Sequence, residues 1–232
     1  MSVREESETR VPVGFLARHS LHEERDIDAV GGRLKRSVDL AIASATLVCF
    51  SPLFLMIAAM IKLSDGGPVL YRHQRVGHHS RPFGCLKFRT MTTKGDELLK
   101  AHLQASPEAA KEWRESRKLK SDPRVTTIGA VLRHLSLDEL PQLINVMRGE
   151  MSLVGPRPIV TEEICKYGSK SELYFRARPG LTGPWQVSGR NDVSYDRRIR
   201  LDCDYVENWS LWRDIVIIAK TIPAVIFARG SY

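Results

Sequence analysis

The residues best suited to chemistry are two adjacent carboxylates, Asp138 and Glu139, followed closely by Pro141. A helix that begins at Asp138 tolerates Pro141 at its third position, and its positive end favours ionised carboxylates. Adjacent helical side chains point about 100° apart, so one carboxylate could attack phosphorus while the other holds a metal ion. The competing interpretation makes Ser136 an N-cap and lets Glu139 close a capping box. From these residues alone, the capping interpretation is favoured.

Basic side chains in restricted positions could form a phosphate-binding cradle. Arg157 lies between two prolines, which lowers the entropy that its guanidinium loses on gripping a phosphate. Arg178 precedes Pro-Gly and Arg190 follows Ser-Gly, while Lys87 and Arg89 alternate along a predicted strand and share one face. Each alone is typical of a solvated surface charge, but together they predict a cradle. Few aromatic residues are interleaved with them, which argues against nucleic-acid binding.

Asp202 and Asp204 have the D-x-D spacing with which many glycosyltransferases hold a metal ion and a sugar nucleotide. Two aspartates at this spacing often occur by chance, so two exposed charges near the end of an element are the favoured interpretation. The chain contains no G-x-x-x-x-G-K-[ST], G-x-G-x-x-G or H-E-x-x-H motif. Common nucleotide-binding and zinc-protease signatures are therefore absent from the sequence.

One apolar segment dominates the elements that must position these residues. Residues 40–61 form a run of 22 without a charge, of which 18 are apolar. A helix of that length measures about 33 Å, against a bilayer core of roughly 30 Å. Ser51-Pro52 near its middle predicts a kink, and basic residues flank both ends, which predicts that both ends are cytoplasmic. A spanning helix and a helix that turns back at Ser51-Pro52 fit these residues about equally well.

After the apolar segment, the sequence predicts short and mixed elements. They are a hairpin of strands Val69–Val76 and Phe83–Met91, a helical stretch 94–120 broken at Ser106-Pro107, and two helices within 128–148 that meet at Leu135-Ser136. The apolar stretch 215–228 follows Trp209 and Trp212. It fits an interfacial helix or a core helix about equally well.

The chain has 232 residues, a formal net charge of +8 and 43% hydrophobic residues, which suits one domain with a real core. Residues 1–32 carry a net charge of −3 and predict a flexible tail, so the remaining body carries +11. A basic body implies an anionic partner: nucleic acid, a lipid surface or phosphorylated small molecules. The four separated cysteines indicate neither a disulfide framework nor a zinc site, as expected in a reducing cytosol.

From about Lys35 to Tyr232, the order of these motifs resembles that of the bacterial sugar transferases, monotopic enzymes that transfer hexose 1-phosphate to a polyprenyl phosphate. The matching motifs are Lys35-Arg36 with Asp39, Ser51-Pro52, Gly67-Pro68-Val69, Lys87-Phe88-Arg89-Thr90-Met91, Asp122-Pro123-Arg124, Ser136–Gln142, Gly149-Glu150-Met151-Ser152, Val154–Pro158, Arg178–Gly183 and Gln186–Arg190. The whole-length pattern is similar to that of the members that start exopolysaccharide assembly with galactose 1-phosphate.

The resemblance implies an α+β fold that is mainly helical with a small β-hairpin. It implies a monotopic membrane protein with interfacial amphipathic helices and a kinked re-entrant helix hinged at Ser51 and Pro52. The implied division is a tail over 1–32, a re-entrant helix over 33–63 and a catalytic domain over 64–232. The implied location is the bacterial inner membrane, with the catalytic domain on its cytoplasmic face. The oligomeric state stays open, with a homodimer as one option.

The same resemblance implies that Asp138 attacks the β-phosphate of a UDP-hexose, which expels UMP and leaves a phosphosugar on the enzyme. Glu139 would bind Mg²⁺, and undecaprenyl phosphate would then displace Asp138. Matching positions, together with the strand alternation, assign phosphate or nucleotide contacts to Lys87, Arg89, Arg133, Arg157, Gln186 and Arg190. The implied partners are UDP-hexose, undecaprenyl phosphate and membrane lipid, without nucleic acid.

Two rival functions predict different products. A metal-dependent glycosyltransferase using Asp202 and Asp204 would cleave the sugar C–O bond and release UDP. A non-catalytic membrane scaffold would release no nucleotide, and its affinity for anionic lipid would fall as salt rises.

Overall fold

The computed structural model describes residues 29–188 and 193–226, so nearly all of the predicted tail lies outside the described residues. Helix α1, Gly32–Cys49, and helix α2, Ser51–Asp65, meet at Phe50 with a bend of 62°. Pro52 stands in the first turn of α2, where its missing N–H removes no helical bond. The bend predicted at Ser51-Pro52 is confirmed.

The helix pair α1–α2 carries many exposed apolar side chains. Large examples are Val48 of α1, Phe50 at the junction, and Leu55 and Leu63 of α2. Within the described residues, no helix has by itself the length and apolar composition needed to cross a membrane, whereas the bent pair has both when its two helices are taken together.

The N-terminal half of α1 belongs to the body of the protein. Lys35 and Asp39 are buried, and Ala43 is fully enclosed in the main hydrophobic cluster. The Lys35 ammonium lies 2.5 Å from the Asp214 carboxylate. Asp39 accepts hydrogen bonds from the Ser152 hydroxyl at 2.7 Å and from the Leu153 N–H at 3.1 Å. The apolar helix pair is therefore anchored by buried polar bonds at its start.

The predicted hairpin is confirmed. Strand β1, Leu70–Val76, pairs antiparallel with strand β2, Pro82–Phe88, and Tyr71 lies opposite Lys87. A 3₁₀ turn, His78–Ser80, joins the two strands.

The predicted helices after the hairpin are also present. Helix α3, Gly95–Ala105, and helix α4, Pro107–Ser116, are separated at Ser106, whose hydroxyl caps α4 by accepting from the Ala109 N–H. Helix α5, Thr127–His134, ends at the predicted junction. A 3₁₀ turn, Leu137–Glu139, then precedes helix α6, Gln142–Arg148.

A second sheet was not predicted from the sequence. Strand β3, Ser152–Val154, pairs in parallel with strand β4, Gly180–Thr182. A side chain at Gly155 would overlap the Arg178 carbonyl, so the close approach of the two strands requires glycine there. Between these strands lie helices α7, Ile164–Tyr167, and α8, Ser171–Phe175, with 3₁₀ turns Thr161–Glu163 and Gly168–Lys170.

Two longer helices close the described chain: α9, Tyr195–Glu207, and α10, Leu211–Ile226. Helix α10 has features of a core helix and of an interfacial helix. Ile217 is buried in the main cluster, while Trp212 is 71% exposed. The described chain is thus an α+β fold, mostly helical with a small hairpin, as predicted, and with a second small sheet that was not predicted.

Candidate active site

Asp138 and Glu139 lie in the 3₁₀ turn between α5 and α6. Ser136 adopts the left-handed conformation, with φ of 56°, and its side chain makes no capping bond. Helix α6 begins only at Gln142, with Pro141 as its N-cap. The capping interpretation is therefore wrong, and so is the expectation that the helix starts at Asp138. The carboxylates of Asp138 and Glu139 are therefore available for contacts with other side chains.

Lys87 of strand β2 joins the two carboxylates. Its ammonium lies 2.6 Å from Glu139 Oε1 and 3.8 Å from Asp138 Oδ2. The Asp138 side chain is only 13% exposed, whereas that of Glu139 is 39% exposed. The three side chains therefore form a compact cluster in which Asp138 is the sheltered member.

Burial raises the pKa of Asp138 above its ordinary value, while the charges of Lys87 and Arg133 oppose that shift. Burial would also raise the pKa of Glu139. There, however, the charge and hydrogen bond of Lys87, with the more distant Arg157 and Arg75, outweigh burial and lower that pKa. Burial alone would lower the pKa of Lys87, but the two carboxylates raise it instead. Lys87 is therefore a cation that favours the ionised forms of the two neighbouring carboxylates.

Arg133 and Arg157, both predicted phosphate contacts, act on this cluster from a distance. Arg133 Nε donates to the Thr90 hydroxyl at 2.9 Å, and its charge favours ionised Asp138. The Arg157 guanidinium lies 5.4 Å from the centre of the Trp185 ring, and its charge favours ionised Glu139. The structure thus brings both arginines into the electrostatic field of the carboxylates.

Arg89 points to a different part of the molecule. It binds the Asp65 carboxylate at the end of α2 through two guanidinium nitrogens and donates to the Pro68 carbonyl at 2.5 Å. Its predicted role as a phosphate contact stays a prediction, because the structure uses it to fasten α2 to the hairpin.

The remaining predicted contacts lie after β4. Gln186 Nε2 donates to the Leu181 carbonyl at 3.4 Å, while its buried Oε1 has no hydrogen-bond partner among the described residues. Arg190 falls outside the described residues.

Arg75 of β1 is a basic residue near the site that the sequence analysis missed. Its guanidinium donates to the Pro158 carbonyl at 3.3 Å and to His73 Nδ1 at 3.1 Å, and its charge helps to lower the pKa of Glu139. The predicted strand Val69–Val76 contains Arg75, but only the observed register, with Tyr71 opposite Lys87, shows that residues 73 and 75 share the face of Lys87.

The structure excludes the alternative of a D-x-D metal site, and the favoured interpretation of two exposed charges is right only for Asp204. Asp202 and Asp204 point to different sides of α9, as residues two apart on a helix must. Asp202 is buried, accepts a hydrogen bond from the Tyr167 hydroxyl at 3.0 Å, and has its pKa raised by burial to about 8. Asp204 instead pairs with Arg213 at 2.5 Å. These aspartates cannot share a metal ion.

Comparisons with known proteins identify the family. A family model described as bacterial sugar transferase matches residues 30–228. The exopolysaccharide production protein ExoY of Rhizobium meliloti is 60% identical over 203 residues, which cover 88% of this chain and 90% of the relative.

Two further relatives have names that describe a reaction. The undecaprenyl-phosphate galactose phosphotransferase of Salmonella typhimurium is 50% identical over 200 residues, covering 86% of this chain and 42% of the relative. The UDP-glucose:undecaprenyl-phosphate glucose-1-phosphate transferase of Caulobacter vibrioides is 41% identical over 206 residues, covering 85% of this chain and 72% of the relative. Enzymes with these names are not passive lipid-binding scaffolds, which removes that alternative. The chain therefore belongs to the bacterial sugar transferases and is a transferase.

Proposed function

We propose that this enzyme transfers hexose 1-phosphate from a UDP-hexose to undecaprenyl phosphate and so starts the assembly of an exopolysaccharide. Its membership of the sugar transferase family and the names of its relatives support this reaction. Galactose is the proposed hexose, because the relative named for galactose is 50% identical and the one named for glucose is 41% identical.

The observation that carries the mechanism is the sheltered Asp138 carboxylate beside Lys87. In the first step, a carboxylate oxygen of Asp138 attacks the β-phosphorus of UDP-hexose. The bond from that phosphorus to the oxygen that bridges it to the α-phosphate breaks, and UMP leaves with the electron pair. Asp138 then carries the hexose phosphate as an acyl phosphate. A partly desolvated carboxylate is a stronger nucleophile than a hydrated one, and the charge of Lys87 favours its ionised form.

In the second step, a phosphate oxygen of undecaprenyl phosphate attacks the same phosphorus. The bond to the Asp138 oxygen breaks, which regenerates the carboxylate and yields the lipid-linked diphosphosugar. The surroundings of the 3₁₀ turn support access from a lipid. Leu137 and Leu140, which flank the carboxylates, pack in one cluster with Ile57 and Ile61 of α2. The reactive turn therefore lies against the apolar helix pair.

The residues present fit a Mg²⁺ ion that is held mainly by the substrate. Mg²⁺ commonly takes one or two carboxylates together with substrate phosphates. Glu139 supplies a partly exposed carboxylate whose pKa Lys87 lowers against the opposing effect of desolvation. The described residues contain no group of three or more acidic, histidine or cysteine side chains that could form a separate cage. When bound, the ion would neutralise charge on the diphosphate. Glu139 is the residue proposed to hold it.

The same proposal places the enzyme on the cytoplasmic face of the bacterial inner membrane. Helices α1 and α2 would enter the bilayer and return to the same face, with their bend at Phe50 as the deepest point. The bend of 62° and the exposed apolar side chains on both helices support this monotopic arrangement.

Nucleotide release tests the function. Membranes that contain the enzyme are incubated with Mg²⁺, undecaprenyl phosphate and each of UDP-galactose, UDP-glucose and their N-acetyl forms. We expect UMP rather than UDP, with the highest rate for UDP-galactose. Without the lipid acceptor, a donor labelled in its β-phosphate should leave label on the protein.

We expect Asp138→Asn to abolish both UMP release and protein labelling, because the amide cannot form the acyl phosphate. Asp96→Asn, which neutralises an exposed carboxylate in α3, is the matched control and should keep both. UMP release that survives in Asp138→Asn would rule out Asp138 as the nucleophile, and release of UDP would refute the reaction itself.

A further inference from the structure

One side-chain amide, that of Asn145 in α6, is completely enclosed in the protein. Its Oδ1 accepts from the Leu86 N–H at 2.9 Å. Its Nδ2 donates to the Gly84 carbonyl at 2.8 Å and to the Glu150 carboxylate at 2.6 Å. A buried amide with all these bonds is costly to replace, because each partner would lose its own hydrogen bond.

The amide occupies the place of a third strand beside the hairpin. Strand β1 covers one edge of β2, and Gly84 and Leu86 present their backbone groups at the other edge. Asn145 pairs with a carbonyl and an N–H of that edge, as a neighbouring strand would. Only one orientation of the amide works, since the reverse would set an NH₂ group against the Leu86 N–H.

This contact lies next to the proposed site. Lys87 directly follows Leu86, and the 3₁₀ turn with the two carboxylates leads into α6 through hydrogen bonds from Leu143 N to Leu140 O and from Ile144 N to Pro141 O, both at 3.0 Å. Asn145 therefore joins the strand that carries Lys87 to the helix that directly follows the turn with the two carboxylates. The 2.6 Å ion pair between Lys87 and Glu139 is a second connection between the same strand and the turn with the carboxylates.

We propose that Asn145 is a positioning residue for catalysis: its side-chain amide fixes β2 against α6 and thereby sets Lys87 at its distance from Asp138 and Glu139. This inference rests on the proposed function for its catalytic consequence but not for its structural one. Glu150 orients the amide from behind through the bond at 2.6 Å. An apolar side chain of similar size would fill the space but would leave the Gly84 carbonyl and Leu86 N–H unpaired.

The accessibility of Lys87 to an amine reagent measures this positioning without any substrate. The detergent-solubilised full chain is treated with acetic anhydride, and acetylation of Lys87 is followed by mass spectrometry. We expect Lys87 to be acetylated several-fold faster in Asn145→Ala than in the wild type. Glu139→Gln, which removes the direct ionic partner of Lys87, gives the rate for the released amine.

Tyr205→Phe is the matched control for general loss of stability. The Tyr205 hydroxyl is also buried and lies 2.6 Å from a carboxylate, that of Asp214, and 3.1 Å from a carbonyl, that of Val154. It should leave the acetylation rate of Lys87 unchanged. A wild-type rate in folded Asn145→Ala, or an equal rise in Tyr205→Phe, overturns the proposal.

A second variant decides the matter if Asn145→Ala does not fold. In Asn145→Asp/Glu150→Gln the net charge is kept, and the bond between positions 145 and 150 is kept with its donor and acceptor exchanged. The bond from the Leu86 N–H is also kept, and only the Gly84 carbonyl loses its donor. We expect acetylation of Lys87 between the rates of the wild type and Glu139→Gln. A wild-type rate in this variant overturns the proposal.

Kinetics of UMP release link the positioning to catalysis. Misplacing a catalytic group by about 1 Å can lower a rate roughly 100-fold, so we expect kcat to fall by about 10- to 100-fold in the Asn145 variants. KM for the UDP-hexose should change far less, as expected for an interaction needed mainly in the transition state. An unchanged kcat with exposed Lys87 refutes the catalytic consequence. If the wild type released no UMP while Lys87 still became exposed, the proposed function would fail and the positioning would stand.

Discussion

At the scale of single residues, the site depends on one cation shared unequally by two carboxylates. Lys87 lies 2.6 Å from Glu139 but 3.8 Å from Asp138, and the pKa of Glu139 is lowered while that of Asp138 is raised. Two adjacent residues of similar chemistry are thus separated by their surroundings into an accessible, strongly ionised group and a sheltered, more basic one. That difference suits a metal ligand and a nucleophile.

The pH dependence of the reaction should reveal this arrangement. Asp138 must be ionised to attack, so kcat/KM should fall as pH falls through its raised pKa. In Lys87→Met the neighbouring positive charge is lost, the pKa of Asp138 rises further, and the acidic limb of the profile should move to higher pH. The measurement is the rate of UMP release as a function of pH.

Lys111→Met, which removes an exposed lysine of α4, is the control and should leave the acidic limb in place. If Lys87→Met lowered the rate equally at every pH, Lys87 would act only in binding and would not govern the ionisation of Asp138.

The sequence was sufficient to bring Asp138, Glu139 and Lys87 together, because the family resemblance covers all three positions. It did not reveal the ion pair of Arg89, since alternation along a strand cannot show that Asp65, at the end of a preceding helix, is near enough to bind the guanidinium. It also missed Asn145. A single asparagine within a helix carries no pattern that distinguishes a buried bridge from a surface residue.

At the scale of elements, the sequence predicted the bend in the helix pair α1–α2 but not which part of the pair belongs to the body of the protein. The proline and the apolar run were enough to predict the bend at Ser51-Pro52. They could not predict that the first half of α1 is buried, because the partners of Lys35 and Asp39 lie more than 100 residues later in the chain. The short strands β3 and β4 were unpredictable for a related reason: three residues are too few to show a period of two.

The buried ion pair between Lys35 and Asp214 should make a measurable contribution to stability. Their side chains are 8% and 6% exposed, and Asp214 also accepts from Tyr205 and Trp209. Lys35→Met would leave a buried carboxylate without its counter-ion, and we expect the free energy of unfolding to fall by roughly 3–5 kcal/mol. Denaturant unfolding of the detergent-solubilised chain provides the measurement.

Removing both charges should be less harmful than removing one. Lys35→Met/Asp214→Asn is expected to recover part of the lost stability, because no unpaired charge remains in the interior. If the double variant were less stable than the single one by the full effect of Asp214→Asn alone, the two residues would not be coupled.

At the scale of the whole molecule, many large apolar side chains are exposed, above all on the helix pair α1–α2. Further ones, such as Trp212 and Ile222, are exposed on α10. The average composition hides this exposed apolar area, since 27% of all residues are charged. The proposed site adjoins the buried side of α2, where Leu137 and Leu140 pack against the cluster of Ile57 and Ile61. In the proposed reaction, this neighbourhood brings the lipid phosphate close to the carboxylates.

Cys49 is a natural probe of the proposed topology, because it is exposed at the bend between α1 and α2. In a re-entrant arrangement the bend lies within the bilayer. We therefore expect Cys49 to resist a water-soluble maleimide from either side of sealed vesicles, while exposed Cys165 reacts from the cytoplasmic side only. Cysteines introduced at the exposed positions Ser37 and Ser64 should behave like Cys165.

Labelling of Ser64→Cys from the periplasmic side would show that the pair spans the membrane instead. Rapid labelling of Cys49 in sealed vesicles would show that the bend stays in water. Detergent-solubilised enzyme is the control, in which all of these thiols should react.

The distance in sequence between Lys35 and Asp214 also imposes an order of events when the chain is made. The two residues are 179 positions apart, so at a synthesis rate of roughly 5–20 residues per second, Asp214 follows Lys35 by about 9–36 s. The donors for Asp39, on Ser152 and Leu153, arrive during the same interval. Helix α1 therefore waits until 179 further residues have been made before Asp214 neutralises the charge of Lys35. The helix is synthesised well before β3 and α10, yet its buried polar groups are paired only after both have followed it.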